Sequence, residues 1–134
     1  MKKLFSVGIM TLLLASCSTQ NTPPTPAIGG QKDKNGCLVA AGQTWSTLRQ
    51  TCLQVFNEGI RLNPIQQKAD EAVFSAFVLY NDNQSKAELF LPREDKSIIL
   101  DKKASGIYSN GAYEYNNVNG ELKKGTEIIY KKDN

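Results

Sequence analysis

The sequence predicts a mainly β protein: a small antiparallel sheet or barrel preceded by a disulfide-pinned α-helix, α+β overall. Three observations predict it. From residue 72 onward, short apolar runs alternate with polar residues and are cut by turn residues about every 8–12 positions. Two Asn-Gly pairs, Asn110-Gly111 and Asn119-Gly120, are strong hairpin signals, because both residue types tolerate the positive φ of tight hairpin turns. Ahead of them, Leu48, Cys52, Val55 and Phe56 fall at helical spacing, with one cysteine inside the pattern and another, Cys37, before it.

The chain opens with Lys2 and Lys3 and an apolar stretch from Leu4 to Leu14. That stretch is far shorter than the roughly 20 residues of a membrane-spanning helix, so residues 1–16 read as a secretory signal peptide. It ends in Leu14-Ala15-Ser16-Cys17, which resembles the lipobox of bacterial lipoproteins. The resemblance implies cleavage before Cys17 and lipidation of its thiol, anchoring the chain to a membrane without spanning it, since each buried methylene contributes about 0.8 kcal/mol. A buried cysteine after an ordinary signal is the alternative. Ser18, not an acidic residue, follows Cys17. In the sorting pattern of such lipoproteins this implies the outer membrane, with the protein facing the periplasm.

Residues 17–36 are the lipidated cysteine and a tether. Thr, Pro, Gly and Asn dominate it, and such a composition buries no core. Cleavage removes two of sixteen basic residues and leaves fourteen against thirteen acidic ones, a net charge near +1. That balance, with no basic face interleaved with aromatics, gives no sign of a nucleic-acid partner.

Residues 37–64 read as a helical disulfide module. With Cys17 lipidated, Cys37 and Cys52 remain, and an even pair in an oxidising compartment reads as a disulfide, with two free thiols as the alternative. Its loop of about 15 residues is worth on the order of 3 kcal/mol in the chain-entropy model. Thr44 and Ser46 are possible N-caps, Gly59 a possible stop, and Asn63-Pro64 closes a helix expected to run about three to four turns. Trp45, the single tryptophan, is expected to pack against the sheet.

Residues 72–134 read as the antiparallel β domain. Val73 to Tyr80 is β-rich and ends at Asn81-Asp82-Asn83. Lys86 to Leu91 alternates, Ser97 to Leu100 is a short strand, Tyr113-Glu114-Tyr115 alternates, and Glu127 to Tyr130 makes the last strand.

The chain has no histidine, which removes Ser-His and Cys-His nucleophile pairs and the common metal triads. No glycine loop cradles phosphate, and Glu88 with Glu127 makes a poor glycosidase-like pair. A non-catalytic binding module, with no metal and no cofactor, is the expectation.

Ala76 to Tyr80, Ala87 to Leu91 and Ile98 to Leu100 resemble the core of the membrane-bound inhibitors of C-type lysozyme. Ala104-Ser105-Gly106-Ile107-Tyr108 is similar to that family's Ser-Gly-x-x-Tyr loop, one residue shorter. Leu122-Lys123-Lys124-Gly125-Thr126-Glu127 resembles its Trp-x-Lys-Gly-x-Glu ending, with leucine in place of tryptophan. The resemblance implies a lysozyme partner and a contact set of Ser105, Gly106, Tyr108, Lys124 and Gly125, the serine and lysine entering the catalytic cleft from loops that converge on one edge. An ammonium there favours ionisation of both catalytic carboxyl groups and so removes the general acid. The family's own sheet-linking cysteine pair is missing, and the Cys37–Cys52 module is additional. Plain hairpin turns with solvated lysines are the bland alternative. An envelope adaptor that holds another protein, recognisable by a large exposed apolar patch, and a small-ligand binder with a deep cavity inside the sheet are the competing functions.

Overall fold

The computed structural model describes residues 30–133; the signal peptide and Cys17 lie outside the described residues. The first strands stand apart from the barrel. β1 (Thr44–Ser46) and β2 (Thr51–Leu53) form an antiparallel hairpin with Trp45 opposite Cys52. A single helical turn, α1 (Val55–Glu58), follows and ends at Gly59, whose amide donates to the Val55 carbonyl at 2.7 Å. Eight further strands come next: β3 (Ile60–Pro64), β4 (Ala76–Tyr80), β5 (Lys86–Phe90), β6 (Ile98–Ala104), β7 (Ile107–Ser109), β8 (Tyr113–Asn116), β9 (Glu121–Lys124) and β10 (Glu127–Lys132). Each pairs antiparallel with its sequence neighbour. β10 also pairs with β3, Lys132 opposite Leu62, and closes the barrel. The mainly β class, the barrel and the disulfide are therefore as the sequence predicts.

Period-two alternation decides which side chains face inward. Leu62, Val78, Leu89, Leu100, Tyr115 and Leu122 fill the barrel and are fully buried. Burying such side chains contributes about 1.5–3 kcal/mol each. Tyr80 and Tyr108 stack inside at a ring separation of 5.1 Å. On β4 and β5 the opposite face is covered too. Leu79 and Phe90 meet Leu53 and Val55 from the hairpin and α1, in a second apolar layer outside the barrel.

The expected helix of three to four turns is corrected to one turn. Leu48, Cys52, Val55 and Phe56 do follow a helical period, yet Cys52 lies on β2 and Phe56 is 53 % exposed. The chain reverses between β1 and β2, with Gln50 in the left-handed region at φ 54°. Cys37 and Cys52 are bonded, with Cα atoms 5.4 Å apart. Ser46 accepts the Arg49 amide at 3.0 Å, as an N-cap would, but within this turn. The physical cause lies across the molecule in Glu88. This carboxylate is fully buried on the outer face of β5 and takes its donors from the turn. The reversed turn presents the Ser46 hydroxyl and the Thr47 and Leu48 amides to that carboxylate together, and a buried charge without such partners costs several kcal/mol.

Two segment boundaries also differ. Ile60–Pro64, read as the end of the helical module, is the first barrel strand, with Pro64 at its end where a missing N–H is tolerated. The last residues of the tether are structured. Lys32 bridges to Leu38, and Asp33 Oδ1 accepts the amides of Asn35 at 2.8 Å and Cys37 at 2.9 Å.

Candidate functional site

In an up-and-down barrel, successive hairpin turns alternate between the two ends. The β4–β5, β6–β7 and β8–β9 turns therefore share one end. The β7–β8 and β9–β10 turns share the other, with the 65–75 and 91–97 loops.

Ser105 and Gly106 make the β6–β7 turn. Gly106 sits at φ 72°, and a Cβ there would lie 3.0 Å from Val118 Cγ2, so this tight turn favours glycine on both conformational and steric grounds. Its carbonyl accepts the Asn117 amide at 2.7 Å, which braces it against the β8–β9 turn. Ser105 is exposed, and Val118 beside it is 83 % exposed. Lys102, Lys103 and Lys132 are also exposed near this end, and none joins an ion pair among the described residues. Asp101, on the same strand, is paired with Lys86; that hydrogen bond and charge hold its carboxyl below the usual aspartate range.

Gly125 and Thr126 make the β9–β10 turn at the opposite end, with Lys124 the last residue of β9 beside it. The Gly125 amide donates to Ala112 at 3.0 Å, and the Lys124 ammonium lies 5.7 Å from the Tyr113 ring. The length of β9 separates this turn from the Ser105 end by on the order of 13 Å. Ser105 and Lys124 thus do not converge on one edge, and that expectation is corrected. The reason is parity. Three turns follow the Ser105 turn, at 110–112, 117–120 and 125–126, and an odd number places the last at the far end.

Tyr108 is corrected as well. It is 2 % exposed inside the barrel, and its hydroxyl donates to the Gln84 carbonyl at 2.9 Å. Its work is to tie β7 to the β4–β5 turn; it presents no surface to a partner.

The sequence reading missed two features. Glu88 accepts from Ser46 Oγ at 2.5 Å, the Thr47 amide at 2.7 Å, the Leu48 amide at 3.3 Å and Ser97 Oγ at 2.5 Å. It clamps the hairpin to the barrel. No local signal marks it, because three of its four donors lie about forty residues earlier. The second feature is a groove of about 670 Å³ between the hairpin and the barrel wall, which Trp45 and Phe77 line. Trp45, expected to pack against the sheet, belongs to neither apolar cluster; it is half-buried and lines the groove.

The fold and these sites define a class: a closed eight-stranded antiparallel barrel carrying a disulfide-pinned hairpin on one wall. No family model, curated protein or solved structure matches the chain.

Proposed function

We propose that the chain is a lipid-anchored envelope protein, held through Cys17 and facing the periplasm from the outer membrane, that inhibits a C-type lysozyme by binding rather than by catalysis. The observation that supports this most is the Ser105 end of the barrel. An exposed serine tops a tight, braced turn, and lysines with no ion-pair partner among the described residues flank it. The resemblance to the lysozyme inhibitors supplies the target. A serine hydroxyl donates to a catalytic carboxylate, and a nearby ammonium keeps both catalytic carboxyl groups ionised, abolishing the general acid. Because Lys124 and Gly125 lie at the other end, this reading gives the cationic role to Lys103 beside Ser105.

The test is titration of the non-acylated Cys17→Ser protein against a C-type lysozyme in a cell-wall lysis assay. Stoichiometric inhibition is expected, weakened about thirtyfold by Ser105→Asp, as loss of a central contact implies. Lys103→Glu weakens it and Lys124→Glu does not. No inhibition at stoichiometric excess, or loss only with Lys124→Glu, refutes this assignment.

A second reading has its own observation. Ile65, Val73 and Phe74 are each about half exposed on the 65–75 loop at the far end, and the Arg93 guanidinium stacks over Phe74 at 4.6 Å. An exposed apolar cluster of this kind suits an adaptor that holds another envelope protein, and this reading leads if lysozyme is not inhibited.

A further inference from the structure

The groove between hairpin and barrel has a volume in the range that holds small ligands, and neither function above uses it. Its walls are fixed. Trp45 stands on β1 opposite Cys52, which is bonded to Cys37, and its neighbour Ser46 is clamped by Glu88. On the same side the Asn35 loop is held by the Asp33 carboxylate. The floor is the outer face of β4 and β5, where Phe77 is half-buried. A site held by a covalent bond and a buried carboxylate keeps its shape before a ligand arrives, which lowers the entropy cost of binding.

The lining chemistry narrows the ligand. Trp45 and Phe77 offer aromatic surface, with the small hydroxyl groups of Thr44, Thr47 and Ser75 beside them. At the rim three carboxylates, Asp33, Glu94 and Asp95, are matched by three cations, Lys34, Arg93 and Lys96. This balance gives no net attraction to an anion or a cation. Val55, Phe90, Leu91 and Pro92 add apolar surface, but the hydroxyls and charges beside them would be left unsatisfied by an acyl chain. A ligand that is neutral, rich in hydroxyls, and yet carries flat C–H faces fits both sets of groups. The C–H faces lie against the electron-rich aromatic faces, and the hydroxyls pair with Thr44, Thr47 and the rim charges.

We propose that this groove is a binding site for a neutral oligosaccharide, and that the disulfide module is retained to form its wall. The proposal is independent of the lysozyme reading, since Ser105 lies at the other end of the barrel and its variants leave the groove intact.

Trp45, the sole tryptophan, reports directly on occupancy. The oxidised, non-acylated protein is titrated with a β-1,4 N-acetylglucosamine tetramer and with maltotetraose, following Trp45 emission and heat. A saturable emission change with either sugar is expected. Preference for the amino sugar would identify a cell-wall type of glycan, and preference for the glucan a different neutral glycan. Trp45→Leu, followed by heat alone, and Phe77→Ala each weaken binding about tenfold, the size of one aromatic contact. Circular dichroism establishes that each variant keeps its barrel, and Ser105→Asp leaves sugar affinity unchanged. No saturable signal with either sugar at millimolar concentration, or affinity indifferent to both groove variants, overturns the proposal.

Discussion

The layer inside the barrel and the layer between barrel and hairpin are lined by the two faces of the same strands, β4 and β5. Inward, Ala76, Val78, Ala87 and Leu89 pack among apolar neighbours and tyrosine rings. Outward, Leu79 and Phe90 surround a buried carboxylate, Glu88, with four donors within 3.3 Å. The inner layer treats its polar atoms differently. The Tyr80 and Tyr115 hydroxyls are buried without a hydrogen-bond partner among the described residues, close enough to influence one another's ionisation but not in bonding geometry. Magnitudes account for the contrast. An unmade hydrogen bond costs about 1–3 kcal/mol, whereas burying about 150 Å² of ring contributes roughly 4 kcal/mol, so a phenol tolerates the loss. A carboxylate has no such apolar area, and its desolvation is larger. It is admitted only where a pinned turn presents its amides and hydroxyls already assembled.

This contrast is sharpest where one layer is damaged and the other watched. Leu122→Ala removes a fully buried side chain from the inner layer, and a loss of about 4 kcal/mol in global stability is expected. Urea unfolding should then show a lower midpoint for every probe together. Glu88→Ala strands the turn donors and should cost about 3 kcal/mol. Its signature is local: Trp45 emission changes at lower denaturant than the far-ultraviolet β signal. Coincident transitions would mean that the two layers melt as one. Removing the disulfide by paired Cys37→Ser and Cys52→Ser changes, closing a loop of separation 15, should cost about 2–3 kcal/mol. Proteolysis should then begin between residues 38 and 51, with the barrel resistant.

The smallest effect is alkaline. Burial, then the neighbouring Tyr115, raises the Tyr80 hydroxyl above the ordinary tyrosine range. Burial raises Tyr115 too, and burial followed by Tyr113 raises Tyr130. In the unfolded chain tyrosines ionise near pH 10. Above that pH the unfolded state gives up protons that the folded state keeps. Stability is therefore full below about pH 10 and falls as pH rises further. Absorbance of phenolate during a pH titration checks it, with these three tyrosines ionising only as the barrel unfolds.

Much of the barrel was legible because its signals are local. Asn110-Gly111 and Asn119-Gly120 do mark hairpin turns, and Tyr113-Glu114-Tyr115 does alternate across β8. The hairpin was not legible. Leu48, Cys52, Val55 and Phe56 carry a genuine helical period, and what overrides it is a contact with Glu88 from some forty residues away, together with a covalent bond. Glu88 itself reads as a solvent-facing residue in an alternating strand, because nothing nearby in sequence shows that its face is covered. Ser105 does lie on a turn, and Lys124 ends β9 directly before one. Their relation was misjudged because β9, between Asn119-Gly120 and Lys124-Gly125, went unrecognised, and one strand more or fewer exchanges the ends.

The pairing of β10 with β3 has a consequence in time. Asn63 and Asp133 are hydrogen-bonded partners 70 positions apart, so the ring closes only once β10 has been made. Until β10 arrives, β3 and β9 each present a free strand margin open to other chains, and Leu62 and Leu122 lack the strand that lies between them. β10 acts as a clasp. A chain truncated at Gly125, which lacks β10, is expected to be far more prone to aggregate than one that carries it, and the decisive step in assembly is the docking of that strand between β9 and β3.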